Sequence, residues 1–117
     1  MLMGGELFMM SSTRKLSRFF AALSDETRIK ILNLLSQREL TVNQIRDSIG
    51  TSLPAISYQL RILSSAELVK YDKRGRKKFF RLSDEHVEGI LSEALKHVVD
   101  ESPEKTPTHI EETKQFA

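Results

Sequence analysis

The sequence predicts a mainly α fold carrying one small β-hairpin. Three observations lead there. Helical periodicity fills most of residues 11–66, two short helical segments meet at Gly50, and a β-branched and aromatic pair of runs brackets Gly75. The 117 residues, 39% of them hydrophobic, suffice for one compact domain and not for two.

The opening Met1-Leu2-Met3-Gly4-Gly5-Glu6-Leu7-Phe8-Met9-Met10 lacks a basic start and a long apolar stretch, so it makes a poor signal peptide. Residues 1–10 are expected to form a flexible N-terminus. The first helix is expected over Ser11 to Leu23, with Leu16, Phe19, Phe20 and Leu23 at helical spacing. A second helix runs through Asp25 to Leu35, capped by Ser24 or Asp25 and apolar at Ile31, Leu32, Leu34 and Leu35.

Thr41-Val42-Asn43-Gln44 has the form of a capping box and opens a short third helix, which Gly50 ends. Thr51-Ser52 caps the fourth helix, with Pro54 in its first turn and Ala55, Ile56, Leu60, Ile62 and Leu63 on its apolar side to about Ala66. Two short helices around a glycine are the helix-turn-helix pattern. The outer face of the second offers Ser52, Ser57, Tyr58, Gln59 and Arg61, groups that bond to base edges and phosphates.

A strand is expected at Leu68–Tyr71, a turn over Asp72–Lys77 centred on Gly75, and a second strand at Lys78–Leu82. Alone this hairpin would be marginal. Beside the helix pair it becomes a wing. The net charge of +2 hides a segregation: seven basic residues against Asp72 give residues 70–81 a local +6, and residues 83–117 carry nine acids against three lysines, a local −6. A solvated basic turn would look the same in charge alone. Placed directly after the exposed polar helix, Arg74, Arg76, Lys77 and Lys78 point to phosphate attraction. Together the elements describe a winged helix-turn-helix that binds double-stranded DNA.

Ser83 is expected to cap a last helix from Asp84 to about Asp100. Val87, Ile90, Leu91, Ala94, Leu95 and Val98 fall on one arc, read as a core-facing stripe. His86, Glu93, His97 and Asp100 form a polar seam along its edge, with Asp84 next to His86. An ordinary surface or interface role fits that pattern. So does nitrogen and oxygen coordination of a metal. His86 and His97 stand about 16 Å apart along the axis, whereas a zinc–nitrogen bond is about 2 Å, so one helix cannot bring both to one ion. Two antiparallel copies can, each ion taking Asp84 and His86 from one and His97 and Asp100 from the other. Glu93 and Glu101 are substitutes for Asp100. Four ligands in a closed tetrahedron suit a structural or regulatory Zn(II). The tail 102–117 is polar, without periodicity, and expected to be disordered, leaving 11–101 as the folded domain.

The chain contains no cysteine, which excludes disulfides, thiolate metal sites and a cysteine nucleophile, and fits a cytoplasmic protein. No run approaches the roughly 18 apolar residues of a membrane span. No nucleophile–base pair or open metal site suggests an enzyme.

The sequence resembles the ArsR/SmtB family of winged-helix repressors. The resemblance covers roughly Phe19 to Glu101 and rests on Ala22-Leu23-Ser24-Asp25-Glu26-Thr27-Arg28-Ile29-Lys30-Ile31-Leu32, on Ile56-Ser57-Tyr58-Gln59-Leu60-Arg61-Ile62-Leu63, on Ala66-Glu67-Leu68-Val69, and on the wing Arg74 to Leu82. It implies a homodimer paired through its first and last helices, an inverted-repeat operator, and an inducer, often a metal ion, that weakens DNA binding. One branch senses zinc through a last-helix pattern that Asp84, His86 and His97 match in type and spacing. Asp100 departs from it, standing where Glu or His is usual, as does Tyr58 where His is common. The lack of cysteine argues against soft thiophilic inducers. A repressor of the same fold with a non-metal inducer, or a zinc-stabilised dimeric interaction module, are the alternative readings.

Overall fold

The computed structural model describes residues 3–99. The element order is α1 (Gly4–Ala22), α2 (Glu26–Leu35), α3 (Val42–Ile49), α4 (Leu53–Ser65), β1 (Val69–Arg74), β2 (Lys77–Leu82) and α5 (Glu85–Val98). This is the expected class: helices with one antiparallel hairpin. The residues up to Asp84 form one compact unit, and α5 belongs to a second. The tail 102–117 and the candidate ligand Asp100 lie outside the described residues.

Three boundaries and one face differ from expectation. The first helix starts at Gly4 rather than Ser11, so the segment expected to be flexible is helical from Gly4 on. Its Leu7, Phe8, Met9 and Met10 are compatible with a helix and continue the pattern of the residues after them. The turn is narrower than Asp72–Lys77: pairing continues to Arg74↔Lys77, leaving a two-residue loop of Gly75 and Arg76. Gly75 has φ 63° and Arg76 keeps a negative φ, the arrangement that places Gly first in a II′ hairpin turn. Asp84, not Ser83, directly precedes α5, because the Ser83 hydroxyl donates instead to Glu67 O at 2.6 Å. The stripe on α5 is not a core face within one chain: Val87 is buried, but Ile90, Leu95 and Val98 are exposed.

The capping reading holds in atomic detail. Asp25 accepts from Arg28 N. Thr41 and Gln44 form the reciprocal box, and Gly50 closes α3 at φ 82°. Ser52 accepts from Ala55 N. Helix α4 ends at Ser65 with Ala66 as its C-cap, where the sequence places it. Leu68 N donates to Leu63 O at 2.9 Å and Glu67 N to Ser64 O at 3.0 Å, a Schellman closure with Glu67 at φ 60°.

The core of the first unit joins α2, α3, α4 and the hairpin. Ile31, Leu32, Leu40, Ile45, Ile56, Leu63 and Leu68 are fully buried. Each such side chain contributes about 1.5–3 kcal/mol relative to exposure. The hairpin is anchored at its base by Val69 and Leu82, both inward. Leu40 adds a third strand position by exchanging two backbone bonds with Phe80, at 3.1 and 2.8 Å. This fixes the wing to the residue just before the α3 cap.

Candidate nucleic-acid interface

Helix α4 is held by Ile56, Leu60 and Leu63, which are buried. Advancing about 100° per residue, Tyr58, Arg61 and Ser65 fall on the opposite, outward side. Tyr58 and Arg61 are exposed. Ser57 and Gln59 sit on the two flanks. Ser57 faces a groove of about 790 Å3 bounded by α3, α4 and the hairpin, to which Arg61, Ser64, Arg76, Lys77 and Lys78 also contribute. The expected helix face and wing cations therefore converge on one concave surface. Ser52, at the start of the helix, is exposed while its side chain caps.

Two expected contacts are otherwise engaged. Gln59 Oε1 accepts from Arg28 Nη1 at 3.0 Å on the α2 flank. Arg74 Nη2 lies 2.7 Å from Glu39 Oε2 and 3.9 Å from Asp72, and its guanidinium stacks 4.7 Å from the Phe79 centroid. Both side chains brace the domain. Arg81 pairs with Asp72 at 3.3 Å, so the single acid of the hairpin neutralises cations on one of its faces. Lys78 Nζ sits 4.6 Å from the Tyr71 ring centroid, which steadies it without cancelling its charge. Among the described residues Arg61, Arg76 and Lys77 have no carboxylate partner. The cations of this groove left open to phosphate are thus Arg61, Arg76, Lys77 and Lys78.

Arg28 is a structural residue that no sequence pattern singles out. Its Nε donates to Ala22 O at 2.7 Å and its Nη2 to Ala21 O at 3.5 Å, while Nη1 holds Gln59. One side chain ties the end of α1 and the body of α2 to α4. Its contact with Gln59 spans 31 positions, and no local pattern announces such a bond.

On α5, His86 and His97 are exposed, and Glu93 lies 3.5 Å from Lys96. Asp84 is exposed just before the helix. The donor types suit a borderline divalent ion. Their spacing on a single helix does not gather them, and among the described residues no three His, Asp or Glu side chains come together as a metal-holding group. Any ion using both histidines needs a second chain.

A wing beside an outward polar helix, with open cations on the groove between them, defines a winged helix-turn-helix regulator of DNA. The comparisons agree. Residues 25–71 match the family described as bacterial regulatory protein, arsR family. A transcriptional repressor SmtB homolog of Synechocystis is 34% identical over 93 residues, covering 80% of this chain and 70% of that protein. A cadmium resistance transcriptional regulatory protein CadC homolog of Staphylococcus aureus is 38% identical over 82 residues, covering 69% and 68%. The homodimeric winged helix-turn-helix domain of a possible ArsR-family regulator from Mycobacterium bovis superposes with a TM-score of 0.71 at 28% identity, covering 76% of this chain and 86% of that one. The chain belongs to the ArsR family, whose members are DNA-binding transcriptional regulators rather than enzymes. No helix among the described residues is long and apolar enough to cross a membrane.

Proposed function

We propose that the protein is a cytoplasmic, metal-responsive transcriptional repressor that binds an inverted-repeat operator as a homodimer and is released by Zn(II) or a similar divalent ion. The observation that carries the DNA-binding reading is the groove between α4 and the wing, rimmed by Arg61, Arg76, Lys77 and Lys78, which have no carboxylate partners among the described residues. Two copies present two α4 helices to successive major grooves about one DNA turn apart. Ser52, Ser57, Tyr58 and Arg61 contact base edges or phosphates there, and the wing cations supply salt-sensitive attraction. Gln59 and Arg74 hold the frame that presents them.

The dimer reading is supported by apolar side chains exposed on two helices of the single chain. Leu7, Phe8, Leu16 and Phe20 are exposed on α1, and Ile90, Leu95 and Val98 on α5. The similar Mycobacterium bovis domain is homodimeric. Asp84 and His86 of one protomer, with His97 and Asp100 of its partner, would hold the ion. When bound, Zn(II) supplies coordinate bonds linking one α5 to the other. The name of the Staphylococcus relative ties that protein to cadmium resistance, which supports a metal as effector. The absence of cysteine here favours a nitrogen and oxygen site over a thiolate one.

Gel-shift titration of the DNA upstream of the gene, with and without Zn(II), tests this. Retarded duplex that Zn(II) frees is the expected result. Binding indifferent to Zn(II) would leave a repressor with a non-metal inducer. Zinc uptake without any duplex bound would leave a zinc-stabilised interaction module.

A further inference from the structure

The arginines of the first unit divide by what surrounds them. Arg46, Arg74 and Arg81 each meet a carboxylate, at 3.0, 2.7 and 3.3 Å. The guanidiniums of Arg18, Arg28 and Arg61 meet none among the described residues, yet they come together around one open hollow of about 760 Å3 between α1, α2 and α4. Tyr58 lines the same hollow, and among the described residues no acidic one does.

Arg28 is half-buried there, and its guanidinium donors go to neutral acceptors, the carbonyls of Ala21 and Ala22 and the amide of Gln59, while only its backbone N–H meets the Asp25 carboxylate. Those bonds fix the guanidinium without neutralising it. Arg18 and Arg61 are exposed. Three like charges on one concave surface repel one another and raise the local potential, which an anion relieves. Guanidinium forks match phosphate oxygens in geometry, and a phenol can donate a further bond.

We propose that this hollow is a phosphate site on the α1 side of α4, and that it takes a backbone phosphodiester of the bound duplex. The inference rests on the DNA-binding reading above. A helix lying in a major groove about 12 Å wide has a sugar–phosphate chain on each flank. The wing serves one flank. Arg61 lines both the wing groove and this hollow, so the hollow adjoins the same helix face on the other side. Arg18 reaches for the second chain, and Arg28 supplies a fixed charge behind it. The hollow thereby extends the DNA-facing surface onto α1, beyond the helix pair and wing.

The test is fluorescence anisotropy of the upstream duplex with the full chain, repeated across salt from about 50 to 200 mM, a range over which phosphate binding declares itself. The variants are Arg18→Ala, Arg18→Lys and Lys77→Ala, with circular dichroism and sedimentation as checks on fold and assembly. Arg18→Ala is expected to weaken binding uniformly across sequences and to lower the salt slope by about 0.9 for each phosphate no longer neutralised, with Arg18→Lys recovering much of it. If Lys77→Ala lowers the slope and Arg18→Ala does not, the site is wrong while the DNA-binding reading stands. If the wild type binds no duplex at all, both fall. Weaker binding at an unchanged slope, or with altered sedimentation, assigns Arg18 to assembly and overturns the proposal. Calorimetric titration with inorganic phosphate covers the remaining source. Binding that needs Arg18, joined to an unchanged DNA slope, makes the hollow a free-anion site instead.

Discussion

Arg28 Nη1 donates to Gln59 Oε1 at 3.0 Å, and through that bond α2 grips the helix that carries the exposed polar face. The same guanidinium also caps two carbonyls at the end of α1. Hydrogen bonds to a charged group contribute about 1.5–3 kcal/mol each when buried, and orphaned partners add to the loss. Arg28→Met is therefore expected to lower the unfolding free energy by about 2–3 kcal/mol in urea. Gln59→Ala, which leaves the α1 bonds intact, should lower it by about 1 kcal/mol. A loss under about 0.5 kcal/mol for Arg28→Met, the ordinary scatter of surface substitutions, would deny it this role.

The wing cations should separate by partner rather than by position. Arg74 is committed to Glu39 and stacked on Phe79, whereas Lys77 has no carboxylate partner among the described residues. Lys77→Ala is expected to reduce the salt dependence of DNA binding by about 0.9 per phosphate it neutralises. Arg74→Ala should change that slope far less and cost under about 1 kcal/mol of stability, since the ion pair is exposed. Equal slope changes for the two variants would show that Arg74 releases Glu39 on the duplex.

Glu67 stands at φ 60°, in the place where helices commonly end on glycine. A non-glycine residue there carries about 1–2 kcal/mol of left-handed cost, partly offset in glycine by greater freedom when unfolded. Glu67→Gly should raise the unfolding free energy by about 0.5–1 kcal/mol, provided its carbonyl keeps the Ser83 hydroxyl. Thermal unfolding decides this, and a lowered Tm would mean that the Glu67 side chain contributes more than its backbone strain costs.

What the sequence made legible was local. The Thr41–Gln44 box, the Gly50 stop and the Ser52 cap depend on residues within a few positions, and they stand as expected. The charge cluster of the wing was equally visible. Which cations were open was not, because Glu39 lies 35 positions from Arg74 and nothing nearby in sequence marks the pair. The Leu40–Phe80 bridge escaped for the same reason. The turn is narrower than its composition suggests because polar residues favour loop, while Asp72 and Lys73 stay in the strand through backbone pairing to Phe79 and Lys78. On α5, apolar periodicity correctly marked a face but could not say whether a core or a second chain covers it.

The metal-release reading turns on His97, exposed on α5 and about 16 Å along the axis from His86. Anisotropy of the labelled upstream duplex, titrated with wild type and with His97→Ala in the absence and presence of saturating Zn(II), tests it most directly. The expected result is equal affinity of the two proteins without metal, and loss of affinity on adding Zn(II) for the wild type alone. Wild-type affinity unmoved by Zn(II), or equal release of both proteins, would contradict it.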